Sequence, residues 1–114
     1  MMNLDGRLMY VSSTAAKGVV GSDTRLSLLQ KGSRVLGRYH GGSIERGCLI
    51  GTVKGAFFAF RYAQREASGE IHAGRSTCEL RRCEDGRIRI VEHFKWNTRK
   101  GAGVNVFDAI RSDP

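Results

Sequence analysis

Ile88-Arg89-Ile90-Val91-Glu92-His93-Phe94-Lys95-Trp96 alternates, with Ile88, Ile90, Phe94 and Trp96 on one parity and Arg89, His93 and Lys95 on the other. A period of two is the signature of a half-buried strand. Its even set includes one misfit, Glu92, which alternation places among the apolar side chains. Upstream, Cys83-Glu84-Asp85-Gly86-Arg87 sets glycine last in a short loop. Glu66-Ala67-Ser68-Gly69-Glu70 repeats the device. Both suit a type I turn closed by a left-handed glycine bulge. That geometry makes Glu66 face Glu70 and Cys83 face Arg87, and registers follow: Tyr62 opposite Gly74, Ser76 opposite Phe94, Leu80 opposite Ile90. A two-residue turn at Asp85-Gly86 would instead set Glu79 beside Glu92 on the apolar face, where two like charges are costly.

The same rhythm runs outward in both directions. The sequence has 15 glycines and a single proline, and the glycines separate segments rich in Val, Ile, Phe, Tyr, Thr and Leu. About eight strands are expected: Gly6–Ser12, Val19–Leu29, Arg34–His40, Gly47–Val53, Phe57–Gln64, Glu70–Leu80, Arg87–Trp96 and Val104–Arg111, the last also readable as a helix. The linkers are short, so neighbours pair as hairpins. Strands in such a series, with no helix to cover a face, close on themselves, because closure removes exposed edges. The expectation is an all-β fold: an up-and-down antiparallel barrel of the lipocalin or streptavidin kind, formed by the 114 residues as one domain. A barrel of this size is filled by side chains or holds one small ligand.

The register assigns an inner face: Phe58, Phe60, Tyr62 and Gln64; Gly74, Ser76, Cys78 and Leu80; Ile88, Ile90, Glu92, Phe94 and Trp96. Glu92, Tyr62, Gln64 and Ser76 supply the few convergent polar groups that a ligand pocket needs. Phe60, Phe94 and Trp96 supply its apolar walls, and Arg38 is the cation expected to reach Glu92 from across the barrel. The outer face collects Arg61, Arg75 and Lys95 in one row, with Arg89 nearby. Like charges opposite one another oppose a sheet, so this row invites an anionic partner, phosphate or nucleic acid. A net charge of +8 points the same way.

Several classes find no support. No apolar run reaches the roughly 20 residues that cross a bilayer, and MMNLDGRLMY lacks an apolar signal core, so a cytoplasmic location is expected. Three cysteines, Cys48, Cys78 and Cys83, make no disulfide framework. His40, His72 and His93 are scattered, without metal-ligand spacing, and no motif for a cofactor is present.

In order along the chain stand Gly6-Arg7, Lys17-Gly18-Val19 with Thr24, Tyr39-His40-Gly41-Gly42, Gly47-Cys48-Leu49-Ile50-Gly51, Phe60-Arg61-Tyr62, Gly69-Glu70-Ile71 with Gly74, and Asp85–Glu92 with Trp96. This series resembles a family of small bacterial β-barrel proteins labelled N-acetylglutamate synthase. Lys17-Gly18-Val19 departs from the Asn-Gly-Glu usual there. The resemblance implies an acetyl-CoA-dependent enzyme but carries over no catalytic residue. The residues themselves offer only Arg38-Tyr39-His40-Gly41-Gly42-Ser43 as an approach to a pyrophosphate loop, and the glycine pair there reads as a hairpin turn. Ligand binding in the interior is therefore the leading expectation, with anion binding on the outer face second and the synthase third.

Overall fold

The structure, a computed structural model, describes residues 2–14 and 19–110. Eight strands run in chain order: β1 Leu8–Ser13, β2 Arg25–Lys31, β3 Arg34–Gly41, β4 Ile44–Lys54, β5 Phe57–Glu66, β6 Ile71–Arg82, β7 Ile88–Trp96 and β8 Ala102–Ala109. Each pairs antiparallel with the next, and β8 pairs with β1 to close the barrel.

The registers are those expected. Tyr62 lies opposite Gly74, Ser76 opposite Phe94, and Leu80 opposite Ile90. The two bulged turns set them. Glu66 N–H donates to Glu70 O, Cys83 N–H donates to Arg87 O, and Gly69 and Gly86 take φ of 91° and 87°, a region in which other residues are strained. Even residues of β5 and β7, and those from Gly74 to Leu80 in β6, point inward and are buried.

The strand expected at Val104–Arg111 is present as β8, which joins β7 to β1, and its alternative reading as a helix falls away. One expectation changes. The second strand begins at Arg25, while Val19 and Val20 run in irregular chain packed against the core. Lys17, Gly18 and Arg111 lie outside the described residues.

The core differs between the two ends. At one end Phe58, Leu80, Ile88, Val35 and Val53 fill the barrel. Leu4, also fully buried, is tied in by its N–H to Gln30 Oε1 at 2.8 Å. At the other end the inward positions hold rings and polar side chains, and there the filling is incomplete.

Candidate functional site

The incompletely filled end contains a cavity of about 40 Å³, room for about three water molecules at 10–15 Å³ each. Its walls are aromatic, from Tyr39, Phe60, Tyr62, Phe94, Trp96 and Phe107. Leu26, Leu49, Val19 and Val20 complete the apolar lining, and Gln64, Glu92 and Asn105 are its polar members. Glycines on neighbouring strands make space for the two phenols. A Cβ at Gly47 would overlap the Tyr39 ring, and one at Gly74 would overlap the Tyr62 hydroxyl. Tyr62 Oη donates to Lys95 O at 3.3 Å.

Glu92 is buried at the cavity wall. Its Oε2 accepts from Ser76 Oγ at 2.5 Å and its Oε1 from Asn105 Nδ2 at 3.0 Å. Asn105 Oδ1 in turn accepts from Thr14 Oγ1 at 2.9 Å. Burial raises the carboxyl pKa above its usual range, and the two donors only partly offset this.

A second polar chain rims the cavity. Tyr39 Oη donates to Gln64 Oε1 and Gln64 Nε2 donates to Glu66 Oε2, both at 2.9 Å. Arg99 Nη2 donates to Glu66 Oε1 at 2.7 Å, and the same guanidinium lies 4.6 Å from the centre of the Trp96 ring. Burial tends to raise the Glu66 pKa, but the bonds from Arg99 and Gln64 outweigh it and hold the carboxylate low. Burial raises the phenol of Tyr39, so it stays a donor. The irregular segment bearing Val19 and Val20 is pinned by Ser43 Oγ to Val19 O at 3.0 Å and by Gly21 N–H to Thr24 Oγ1 at 3.1 Å.

Of the interior residues expected from the sequence, Glu92, Tyr62, Gln64, Phe60, Phe94 and Trp96 line this cavity. Ser76 is buried behind Glu92 and reaches the cavity only through it. Arg38 is a correction. The inward residues of β3 are Val35, Gly37 and Tyr39, so Arg38 points to solvent and cannot reach Glu92. Tyr39 and Asn105 were missed. Tyr39 sits on the opposite parity to Arg38, and Asn105 lies directly opposite Glu92 on the segment whose strand character was open.

On the outer face Arg61, Arg75 and Lys95 stand directly opposite one another on β5, β6 and β7. All three are exposed, and no acid pairs with them among the described residues. Arg89 differs: it holds Asp108 with Nε at 2.7 Å and Nη2 at 3.0 Å. Its charge is already matched. Glu66, Glu70 and His72 bring possible ligand atoms within 4.8 Å of one another. Both Glu66 oxygens are occupied by Arg99 and Gln64, however, and His72 Nδ1 lies 2.9 Å from Thr98 Oγ1, so the cluster is a structural knot at the rim.

An eight-stranded closed meander with an aromatic, polar-flecked cavity at one end is a recognisable arrangement, and comparison of the sequence with known families settles the relationship. Residues 2–110 match the family described as Avidin-like protein. The chain belongs to the avidin-like family. No curated protein and no solved structure matches this avidin-like barrel, and none of the comparisons returns an N-acetylglutamate synthase.

Proposed function

We propose that this avidin-like barrel binds a small organic molecule in the cavity between Tyr39, Trp96 and Glu92, and holds rather than transforms it. The observation that carries this reading is the convergence of Glu92, Asn105, Gln64 and Tyr39 on an otherwise aromatic space, the composition of a ligand pocket. Family membership supports it. The free space is small, so the ligand is compact, or the segment carrying Val19 and Val20 yields to admit it. Ligand-observed NMR against a metabolite library tests the idea. Trp96, the single tryptophan, lines the cavity and reports occupancy by fluorescence. Binders that neither change Trp96 emission nor respond to Glu92→Gln would place the ligand elsewhere and sink the reading.

A second reading rests on the unmatched row Arg61–Arg75–Lys95. Three adjacent cations without acids suit a phosphate or a nucleic-acid backbone, and binding there would weaken steeply with salt. A labelled oligonucleotide titrated at two salt concentrations checks it, and an unchanged affinity would rule it out.

A further inference from the structure

Glu92 differs from the other buried carboxylates of the barrel. Glu66 faces Arg99 and Asp108 faces Arg89, each at 2.7 Å. Glu92 meets only the neutral Ser76 and Asn105, and no cation lies within ion-pair distance among the described residues. A charge taken out of water without a counter-charge is costly. Yet both oxygens of Glu92 accept a hydrogen bond, a wiring that suits the ionised form.

No group packed around it forms an ion pair with it among the described residues, and the electrostatic pull of His93 toward the ionised form is the weakest of the influences on it. Cys78 stands directly opposite on β6, and its thiol is pushed far up by burial and by Glu92. Tyr62 on β5 and Tyr39 on β3 are phenols held neutral for the same two reasons. On β8 the facing residue is Asn105. His93, next along β7, is exposed on the outer face. The cavity that Glu92 lines is walled instead by a set of rings, Phe60, Tyr62, Phe94 and Trp96, packed against one another at centroid distances of 5.3–6.0 Å. Aromatic faces attract cations.

We infer that the cavity's ligand is a small organic cation, an ammonium or guanidinium on a short apolar chain, whose charge pairs with the Glu92 carboxylate and whose carbons lie against Phe60, Phe94 and Trp96. This rests on the cavity-binding reading above. The ligand supplies the counter-charge that the protein withholds. The protein's own +8 opposes a cation at long range, but salt screens that repulsion within roughly 8 Å at physiological ionic strength, while the pair forms inside the barrel.

The proton balance gives the inference its test. A Glu92 that is protonated in the empty cavity must release that proton to solvent as the cation binds. Affinity then rises about tenfold per pH unit until Glu92 is already ionised, and levels off above. A neutral or anionic ligand that accepts a bond from protonated Glu92 follows the opposite course.

The experiment titrates propylammonium and propylguanidinium, with propanol and propionate as uncharged and anionic counterparts, from pH 5 to 8.5. Trp96 emission and ligand-observed NMR provide the readouts. The expected result is binding of the cations alone, tightening with pH. Glu92→Gln weakens it at least tenfold and flattens the pH profile. Ser76→Ala keeps the carboxyl but removes a donor to its ionised form, so the rising limb moves to higher pH, an effect that loss of fold would not produce. Preference for propanol or propionate, or affinity falling with pH, overturns the cation and leaves the cavity-binding reading standing. No response to any of the four overturns the cation, and a library screen without Trp96-sensitive hits overturns the cavity reading with it.

Discussion

Asn105 stands directly opposite Glu92 on the adjoining strand and donates Nδ2 to Oε1 at 3.0 Å, so β7 and β8 are joined inside the barrel by a side-chain bond as well as by their backbone ladder. The bond lies on the cavity wall, and it makes the site and the closure of the barrel depend on the same pair of side chains.

Asn105→Leu should therefore destabilise the protein. It strands a buried carboxyl oxygen and breaks the bond from Thr14 Oγ1 to Asn105 Oδ1. An unmade bond to a buried polar group costs about 1–3 kcal/mol. Combining it with Glu92→Leu removes both partners, so the double variant should recover part of the loss. Urea unfolding of the two single variants and the double variant checks this. Strictly additive losses would mean that the two residues do not act as a pair.

The pH dependence of stability should carry two opposite signs. Glu92 has a raised native pKa, chiefly through burial, so the folded state holds a proton that the unfolded chain releases near its ordinary value of about 4.3. That contribution is complete below the unfolded pKa and is lost as pH rises through the native one. Asp108 is held low chiefly by its bonds from Arg89, and Glu66 is held low by Arg99 and Gln64 against the pull of burial. Their contribution is present above the unfolded pKa and is lost as pH falls through the native values. Glu92→Gln should thus gain on the wild type as pH rises above about 4.3, while both keep the same acid limb. Melting temperatures across pH 3–8 test it. A constant gap between the two proteins would show that folding leaves the Glu92 pKa unshifted.

The barrel was legible because its evidence is local. Alternation in Ile88–Trp96 and two glycine-last turns fix three strands and their register, and residue pairs such as Arg75 and Lys95 follow by counting. The cavity was legible only in part. Glu92, Tyr62 and Trp96 share one alternating set, so their convergence could be read from parity. Asn105 could not, because residues 97–101 between β7 and β8 carry no two-residue turn to fix the register, and the other partner, β1, is far away in sequence. Arg38 was misplaced although its strand is set by a short turn: Gly32-Ser33 pairs Lys31 with Arg34, and counting from Val35 inward puts Tyr39, not Arg38, on the inner face. Val19 and Val20 have strand-forming side chains, but Val19 O accepts from Ser43 Oγ and the following Gly21 N–H donates to Thr24 Oγ1, which holds the segment at the cavity instead of in a ladder.

Gly74→Ala should reshape the site. Its new methyl would overlap both the Tyr62 hydroxyl and the Lys95 carbonyl oxygen, so the ring must swing away, giving up its bond to Lys95 O, and the β7 backbone must shift as well. Tyr62 packs edge-on against Trp96 at 5.3 Å, which makes Trp96 emission sensitive to the move. The expected outcome is a shifted Trp96 spectrum and a loss of about 1–3 kcal/mol, the usual range for overpacking. An unchanged spectrum would show that Tyr62 accommodates the methyl in place.

The outer row gives a prediction in which stability and binding move in opposite directions. Arg75 stands between Arg61 and Lys95, directly opposite each. Like charges at such positions oppose pairing, and opposite charges favour it by roughly 0.2–1 kcal/mol per pair. Arg75→Glu converts two repulsive pairs into two attractive ones without touching the interior, since Arg75 is exposed. The variant should be more stable than the wild type, by about 1 kcal/mol at low salt, with the gain shrinking as salt screens the pairs. If the row serves an anion, the same change should abolish salt-sensitive oligonucleotide binding. A melting temperature that rises while oligonucleotide binding disappears would mean that the protein retains a destabilising row for its use. A melting temperature that falls would show that solvent already separates the three cations, and the physical argument for an anion site there would fail.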